Sequence, residues 1–352
     1  MKRIAIVGCG AIAKTHGLAI QDLGFECAAV SSSRLEAAQT FAANYPELRA
    51  DWLTADEWRP AAARAKLREL FKSPTVYPTF AAMREEAPFD AIIIATPPGS
   101  HCELVCEAAA MGTKAILCEK PMAMSEKQCR KMVEVCQQHG VRLAVYHEAM
   151  MLLRHFSEAR RIIGTGQIGK VEFIRANTLC SLMDWSPYLW AGILHMLPGR
   201  KIDLIEATLD CAKKAVTFRH AQEDRATVHF VLNDDTHGVL FTGRKDFSNH
   251  GIRIDGTQGS LEISFISAPT LRVWSQGTRS WEVVTPPRAC SYDDRREFLE
   301  GIVTGDPHYD TFNGASAIPS TLPIFAAWQS HLERRPIKMA DAISFEIPLQ
   351  HP

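Results

Sequence analysis

Apolar residues fall along this chain in two regimes. In the first 150 residues they form short unbroken runs, Ile4–Val7, Glu26–Val30, Asp90–Ala95, Ala115–Cys118 and Arg142–Val145. Unbroken runs of this length mark strands buried on both faces, as in a parallel sheet covered by helices. Helical patterns separate them. One closes at Gly24, one runs from His101 to Met111, and one carries Cys129, Met132, Val133 and Cys136 at helical spacing, opens on a Ser125/Gln128 capping box and ends at Gly140. The alternation predicts a doubly wound α/β domain over residues 1–125, completed by a helix and strand reaching about 148. Beyond it the runs Val171–Leu179, Ala212–Phe218, Ala226–Leu232, His237–Thr242 and Gly251–Asp255 are β-rich and broken by turn residues such as Asn233-Asp234-Asp235. Residues 149–352 are therefore a second domain. Tyr292–Ile302 reads as a helix with Phe298, Leu299 and Ile302 inward. A last helix is expected from about Ile324 to Arg334, after Pro319 and Pro323 and before Pro336, packed back near the first domain.

Composition narrows the class. The 352 residues are 46% hydrophobic and 22% charged, with 39 basic against 40 acidic side chains. That balance points to a globular chain without a nucleic-acid or anionic-membrane partner. Met1-Lys2-Arg3 leads straight into a strand, no run reaches the length of a membrane span, and ten scattered cysteines fit reduced thiols, so the expected location is cytoplasmic. Cys102 and Cys106 share a helix face but lack a second ligand pair, so no metal site is expected. Residues 46–78 are longer than a plain strand–helix–strand unit needs. Their middle, 54–72, reads as an inserted helix, open to use as a lid, an oligomer contact or a spacer.

Candidate chemistry sits at the strand ends. Gly8-Cys9-Gly10-Ala11-Ile12-Ala13 follows the first strand and opens a helix, the context in which Gly-x-Gly-x-x-Ala binds a dinucleotide. Gly8 permits the turn, Gly10 lets a pyrophosphate approach, Ala13 allows close packing, and the helix N-terminus offers N–H groups to phosphate. The second strand ends in Ser31-Ser32-Ser33-Arg34, where an NAD-selective site would place an acid for the ribose hydroxyls. Ser32, Ser33 and Arg34 suit a 2′-phosphate instead, so NADP(H) is the expected cofactor; the serines equally suit a cap for the following helix. Thr96-Pro97-Pro98-Gly99-Ser100-His101 cannot join a central ladder and forms a loop for the nicotinamide end, with His101 either touching substrate or serving the helix end. Leu117-Cys118-Glu119-Lys120-Pro121 ends the strand Ala115–Cys118 at its carboxyl edge, where ligands of open α/β sheets bind. Lys120 there can exchange a proton or hold an oxygen, or it is a plain surface lysine in a turn.

Taken in order, GCGAIA, ATPPGSH and LCEKPMAMS resemble the glucose–fructose oxidoreductase and inositol dehydrogenase family, Gfo/Idh/MocA. Gly166–Val171 and Ile254–Glu262 are similar to that family's later markers. The resemblance implies an α/β Rossmann domain followed by an α+β domain with a large, mostly antiparallel open sheet. It further implies that this sheet binds a small-molecule substrate and pairs subunits into a homodimer or homotetramer. It places Glu119 and Lys120 beside the nicotinamide. It also implies an Asp and a His four residues apart on one helix next to the lysine. Aligned on Gly192–Asp203, those two positions hold Met196 and Arg200, and only Asp203 matches the family's later acid. Neither Met nor Arg can serve as a base. Three readings follow. In the first, an NADP(H)-dependent oxidoreductase acts on a carbonyl, hydroxyl or imine substrate, with Lys120 as acid, Arg200 holding an anionic substrate, and His195 brought inward by a shifted register. Tyr146, His147, Tyr188 and Trp190 are then pocket-wall candidates, or plain packing. In the second, the fold is a non-catalytic ligand sensor. In the third, transient nicotinamide redox drives a glycosidic cleavage without net redox change.

Overall fold

The computed structural model describes residues 1–48, 71–85, 88–243, 250–264, 270–285, 293–341 and 343–350. The helix expected over 54–72 lies almost wholly outside the described residues, as does Tyr292. The chain divides into two compact units. The first comprises Met1–Glu119, Lys131–Tyr146 and Arg295–Gly314, and the second Lys120–Arg130, His147–Asp294 and Ala315–Pro352.

The first unit is built on β1 (Arg3–Val7), β2 (Glu26–Ser31), β3 (Thr75–Tyr77), β4 (Ala91–Ile94), β5 (Ala115–Cys118) and β6 (Arg142–Val145). They form one parallel sheet in the order β3-β2-β1-β4-β5-β6. Every residue of β4 and β5 is buried, as their unbroken apolar runs require. After β3 the chain returns to the other side of β1, so the carboxyl ends of β1 and β4 form the topological switch point at which such sheets bind ligands. The expected helices appear as Ala11–Asp22, Leu35–Asn44, His101–Ala110 and Glu126–Gln138. The capping box appears with a one-residue offset: Ser125 Oγ accepts the Gln128 N–H, while the Gln128 side chain accepts the Met124 N–H.

The second unit carries β7 (Val171–Asn177), β8 (Ile202–Asp210), a separate ribbon of β9 (Val216–Thr217) and β10 (His220–Ala221), then β11 (Arg225–Leu232), β12 (His237–Thr242), β13 (Gly251–Gly256), β14 (Gly259–Ser264), β15 (Thr270–Ser275), β16 (Trp281–Val284) and β17 (Ile337–Lys338). Outside the ribbon they make a nine-stranded sheet, β16-β15-β14-β13-β7-β12-β11-β8-β17, in which only the β7–β12 pair is parallel. The strand expected over 212–218 shrinks to Val216–Thr217. β8 takes its place in the sheet, burying Ile202, Ile205, Ala207 and Leu209 while Asp203, Glu206 and Thr208 are exposed. The last helix is Gly314–Glu333, longer than expected, and it runs through both Pro319 and Pro323. Burial of Ile324, Phe325, Ala326, Ala327 and Trp328 outweighs the roughly 3 kcal/mol that an interior proline costs, each large apolar side chain contributing about 1.5–3 kcal/mol.

Candidate active site

The end of β1 is shaped for a pyrophosphate. Gly8 has φ +98°, and a Cβ there would meet the Ala95 carbonyl oxygen at 2.4 Å, so only glycine fits both the conformation and the approach to β4. The Gly8 N–H donates to the Ser31 carbonyl at 2.8 Å, tying this turn to the end of β2. Around Gly10 there is open space: a Cβ built on it finds no atom within 4 Å. The helix beginning at Ala11 has no side-chain cap, which leaves the N–H groups at Ala11 and Ile12 for an anion, while Ala13 is fully buried against the sheet. The residues present therefore fit a dinucleotide. At the end of β2, Ser32 Oγ accepts the Arg34 N–H at 3.4 Å, and Ser33 and Arg34 are exposed.

His101 is fully buried and its Nε2 bonds the Thr96 carbonyl at 2.8 Å. Ser100 Oγ donates to Thr96 Oγ1 at 2.8 Å and to the Pro97 carbonyl at 2.9 Å. His101 thus shapes the Thr96-Pro97-Pro98 loop, and this burial corrects its expected substrate contact. Glu119 is also buried, held by His16 Nε2 at 2.7 Å and Arg295 Nη1 at 3.3 Å. The Arg295 guanidinium stacks 3.6 Å over the Tyr146 ring. Burial, followed by the charge of Arg295, lowers the His16 pKa despite its bond to Glu119. Tyr146 belongs to this packed cluster of the first unit.

In the second unit, Lys120 meets a partner that the pattern reading overlooked. Its Nζ donates to Asp184 Oδ1 at 2.6 Å and also to the Asp184 carbonyl, and it lies 5.4 Å from the centroid of the Tyr188 ring. The two charged side chains are 16% and 27% exposed, so the pair is shielded yet reachable. Asp184 and Tyr188 stand four residues apart on the helix Leu182–Met196 and so share one face. This is the spacing that the family resemblance implies, twelve residues earlier than the aligned positions Met196 and Arg200. Glu223 caps that helix from β10–β11, accepting the Leu182 N–H and the Thr242 hydroxyl. Burial pushes the Glu223 carboxyl up to about 7 against those hydrogen bonds.

The assumed register fails because the helix ends at Met196 and the chain turns through Gly199 before β8 begins. Arg200, past the turn, pairs with Asp234 at 2.8 Å rather than facing Lys120. Asp203 is exposed on β8. His195 lies in the last helical turn, three turns from Asp184, where burial and then the charge of Arg160 lower its pKa to about 4. Trp190 is fully buried edge-on to Phe230, and His147 is buried with Nε2 2.7 Å from Ser320 Oγ, so both are packing residues. Asp184-Trp185-Ser186-Pro187-Tyr188 carried the signal, obscured by a proline within the helix and by a tyrosine at the histidine position. Among the described residues no group of three His, Cys, Asp or Glu could hold a metal ion, no disulfide joins the nine cysteines, and no helix is long and apolar enough to cross a membrane.

Residues 2–147 match the family model described as the oxidoreductase family with an NAD-binding Rossmann fold, GFO_IDH_MocA. Over those residues the chain is similar to the Gfo/Idh/MocA family of oxidoreductases. It is 38% identical over 206 residues to 2,7-anhydro-N-acetylneuraminate hydratase of Escherichia coli, over 53% of this chain and 55% of that one, so the match spans about half of that relative. A D-apiose dehydrogenase of Paraburkholderia graminis is 26% identical over 304 residues, 81% of this chain and 73% of its own. The aldose–aldose oxidoreductase of Caulobacter crescentus, solved with glycerol, shares the fold with a TM-score of 0.74 at 19% identity, over 96% of this chain and 99% of that one.

Proposed function

We propose that this chain is a nicotinamide-dependent oxidoreductase that prefers NADP(H) and acts on a hydroxyl or carbonyl of a sugar-like substrate. The observation that carries the reading is the Lys120–Asp184–Tyr188 arrangement, a cation, a carboxylate and a phenol brought together on the residue that follows Glu119. When bound, the nicotinamide supplies the hydride acceptor or donor. The chain's residues then manage the proton and the orientation. Lys120 polarises the reacting oxygen and passes it a proton, Asp184 holds the ammonium in place, and Tyr188 supports it from below. Gly8, Gly10, Ala11, Ile12 and Ala13 hold the pyrophosphate, and Thr96, Pro97 and Pro98 bound the nicotinamide end. NADP(H) preference is supported by the absence of any acid among residues 31–34 and by the exposed Arg34, whose guanidinium suits a 2′-phosphate.

One observation favours a second reading, a reaction without net redox change. The relative from Escherichia coli is named a hydratase, the net addition of water, within a family that uses nicotinamide. A single experiment separates the two. The protein is incubated with NADP⁺, NAD⁺ or their reduced forms and a panel of aldoses, polyols and 2,7-anhydro-N-acetylneuraminate, while both nicotinamide absorbance and product are followed. A steady absorbance change supports the oxidoreductase reading. Product without net absorbance change supports the second. Neither, with a ligand raising the melting temperature, would sink both in favour of a sensor. We also propose a homodimer or homotetramer through the open sheet face, where Arg253 and Arg272 cover Trp281; light scattering reads this directly.

A further inference from the structure

Two buried histidines, singled out by neither pattern nor resemblance, lie within electrostatic reach of the Lys120–Asp184 pair. His250 lies against Trp185, the residue after Asp184, with ring centroids 4.3 Å apart, and Trp185 lies 4.9 Å from Tyr188. His250 Nδ1 is 2.7 Å from the buried Thr178 hydroxyl, which itself accepts the Cys180 N–H at 3.1 Å. This contact holds the ring in place, with Nδ1 and Nε2 in complementary donor and acceptor roles. His220, three residues before the carboxylate that caps the Asp184 helix, has a defined tautomer. Its Nδ1 is 2.9 Å from the Ala221 carbonyl, which only accepts, so Nδ1 carries the proton and Nε2 is an acceptor. Burial lowers both pKa values, that of His250 to about 4, and the charges of Asp184 and Lys120 reach both rings with opposite effects. Both rings are neutral at pH 7. Among the described residues neither Nε2 has a protein partner.

We infer that His250 and His220 are substrate-binding residues that hold neutral hydroxyl groups beside the reacting carbon, His250 through Nε2 in whichever role its tautomer gives and His220 by accepting at Nε2. The inference rests on the oxidoreductase reading and assigns the contacts that hold the hydroxyls flanking the reacting centre. A hydroxyl both donates and accepts, so it satisfies either ring. A carboxylate at this place would face the lone pair of His220 and the charge of Asp184, and it has no proton to give.

The test compares wild type with His250→Phe, which keeps the contact with Trp185 and removes the ring nitrogens, and with His250→Gln, which keeps a donor and an acceptor. Each is assayed with NADP⁺ and with D-glucose, D-xylose and myo-inositol, then with single-deoxy analogues of the compound that turns over. Wild type should lose about tenfold in kcat/KM on one deoxy analogue. His250→Phe should show the same loss on the parent sugar and no further loss on that analogue, and His250→Gln should recover part of it. NADPH affinity should be unchanged throughout. Equal losses on the parent and every analogue, or no loss, would overturn the inference while leaving the oxidoreductase reading intact. A wild type silent with every sugar counts against that reading instead. Calorimetric binding of the same sugars then decides the inference: about tenfold tighter binding by wild type than by His250→Phe supports it, and equal affinities overturn it.

Discussion

Asp184→Asn removes one charge from the Lys120 pair and leaves the shape of the side chain nearly intact. The pair is close, 2.6 Å, and both members are less than a third exposed. Exposed pairs contribute about 0.2–1 kcal/mol, and breaking a fully buried pair costs about 3–5 kcal/mol. Partial burial places this one between, roughly 1–3 kcal/mol once solvent screening is allowed for. A melting shift of only a few degrees follows, since each kcal/mol moves the midpoint by about 2–4 °C in a domain of this size. The kinetic effect is larger in proportion, because the ammonium must be aimed at the reacting oxygen. A loss of about 2–3 kcal/mol of transition-state stabilisation lowers kcat roughly 30- to 150-fold. The assay is steady-state turnover at the nicotinamide absorbance with NADPH affinity measured separately. The expected pattern is a fall in kcat, a small change in KM and unchanged NADPH affinity, because the cofactor residues belong to the other unit. A variant with kcat within threefold of wild type and a lowered melting temperature would refute the reasoning, leaving the pair a structural one.

Other outcomes follow from the same geometry. Arg34→Ala should reduce the preference for NADPH over NADH by about 10- to 100-fold, the size of one charge-assisted phosphate contact, measured by fluorescence titration of both cofactors. Equal affinities in wild type would remove the proposed selectivity. Gly8→Ala forces a Cβ within 2.4 Å of the Ala95 carbonyl at φ +98°, and dinucleotide binding should be lost along with about 1–3 kcal/mol of stability. Glu223 has a folded pKa raised from 4.5 to about 7 by burial, so the native state holds a proton that the unfolded chain releases. Its contribution is complete below about pH 4.5 and is lost as pH rises through about 7, on the order of 3 kcal/mol. Glu223→Gln should therefore match wild type near pH 5 and exceed it at pH 8 in denaturant titrations, whereas parallel profiles would count against the shift.

Five strands of the Rossmann sheet were legible because β1, β2, β4, β5 and β6 each carry an unbroken apolar run and because Gly8 and Gly10 fall directly after the first of them, whereas β3, the short and half-exposed Thr75–Tyr77, carries no such run. The carboxyl edge of β5 identified Lys120 for the same reason. Its partner was not legible, since helix Leu182–Met196 contains Pro187 and its polar face is only Asp184 and its neighbours, while Gly192–Asp203 imitates the expected spacing across what is really a helix end, a turn and a strand. Once β8 was absorbed into that supposed helix, the alternation from Ile202 to Leu209 lost its meaning and the neighbouring segment 212–218 was read as the strand. His220, Glu223 and His250 sit on a short ribbon and at strand ends, where no periodicity marks a side chain. Only tertiary distance brings them to the helix that carries Asp184.

The central claim is that Lys120 handles the proton at the reacting oxygen, and Lys120→Ala tests it most directly. Turnover and NADPH affinity are measured on the same preparation. The account predicts that kcat falls by at least about 100-fold while NADPH affinity changes by less than about threefold, the range expected for losing a general acid without losing the cofactor site. A variant that retains near-native turnover would contradict it.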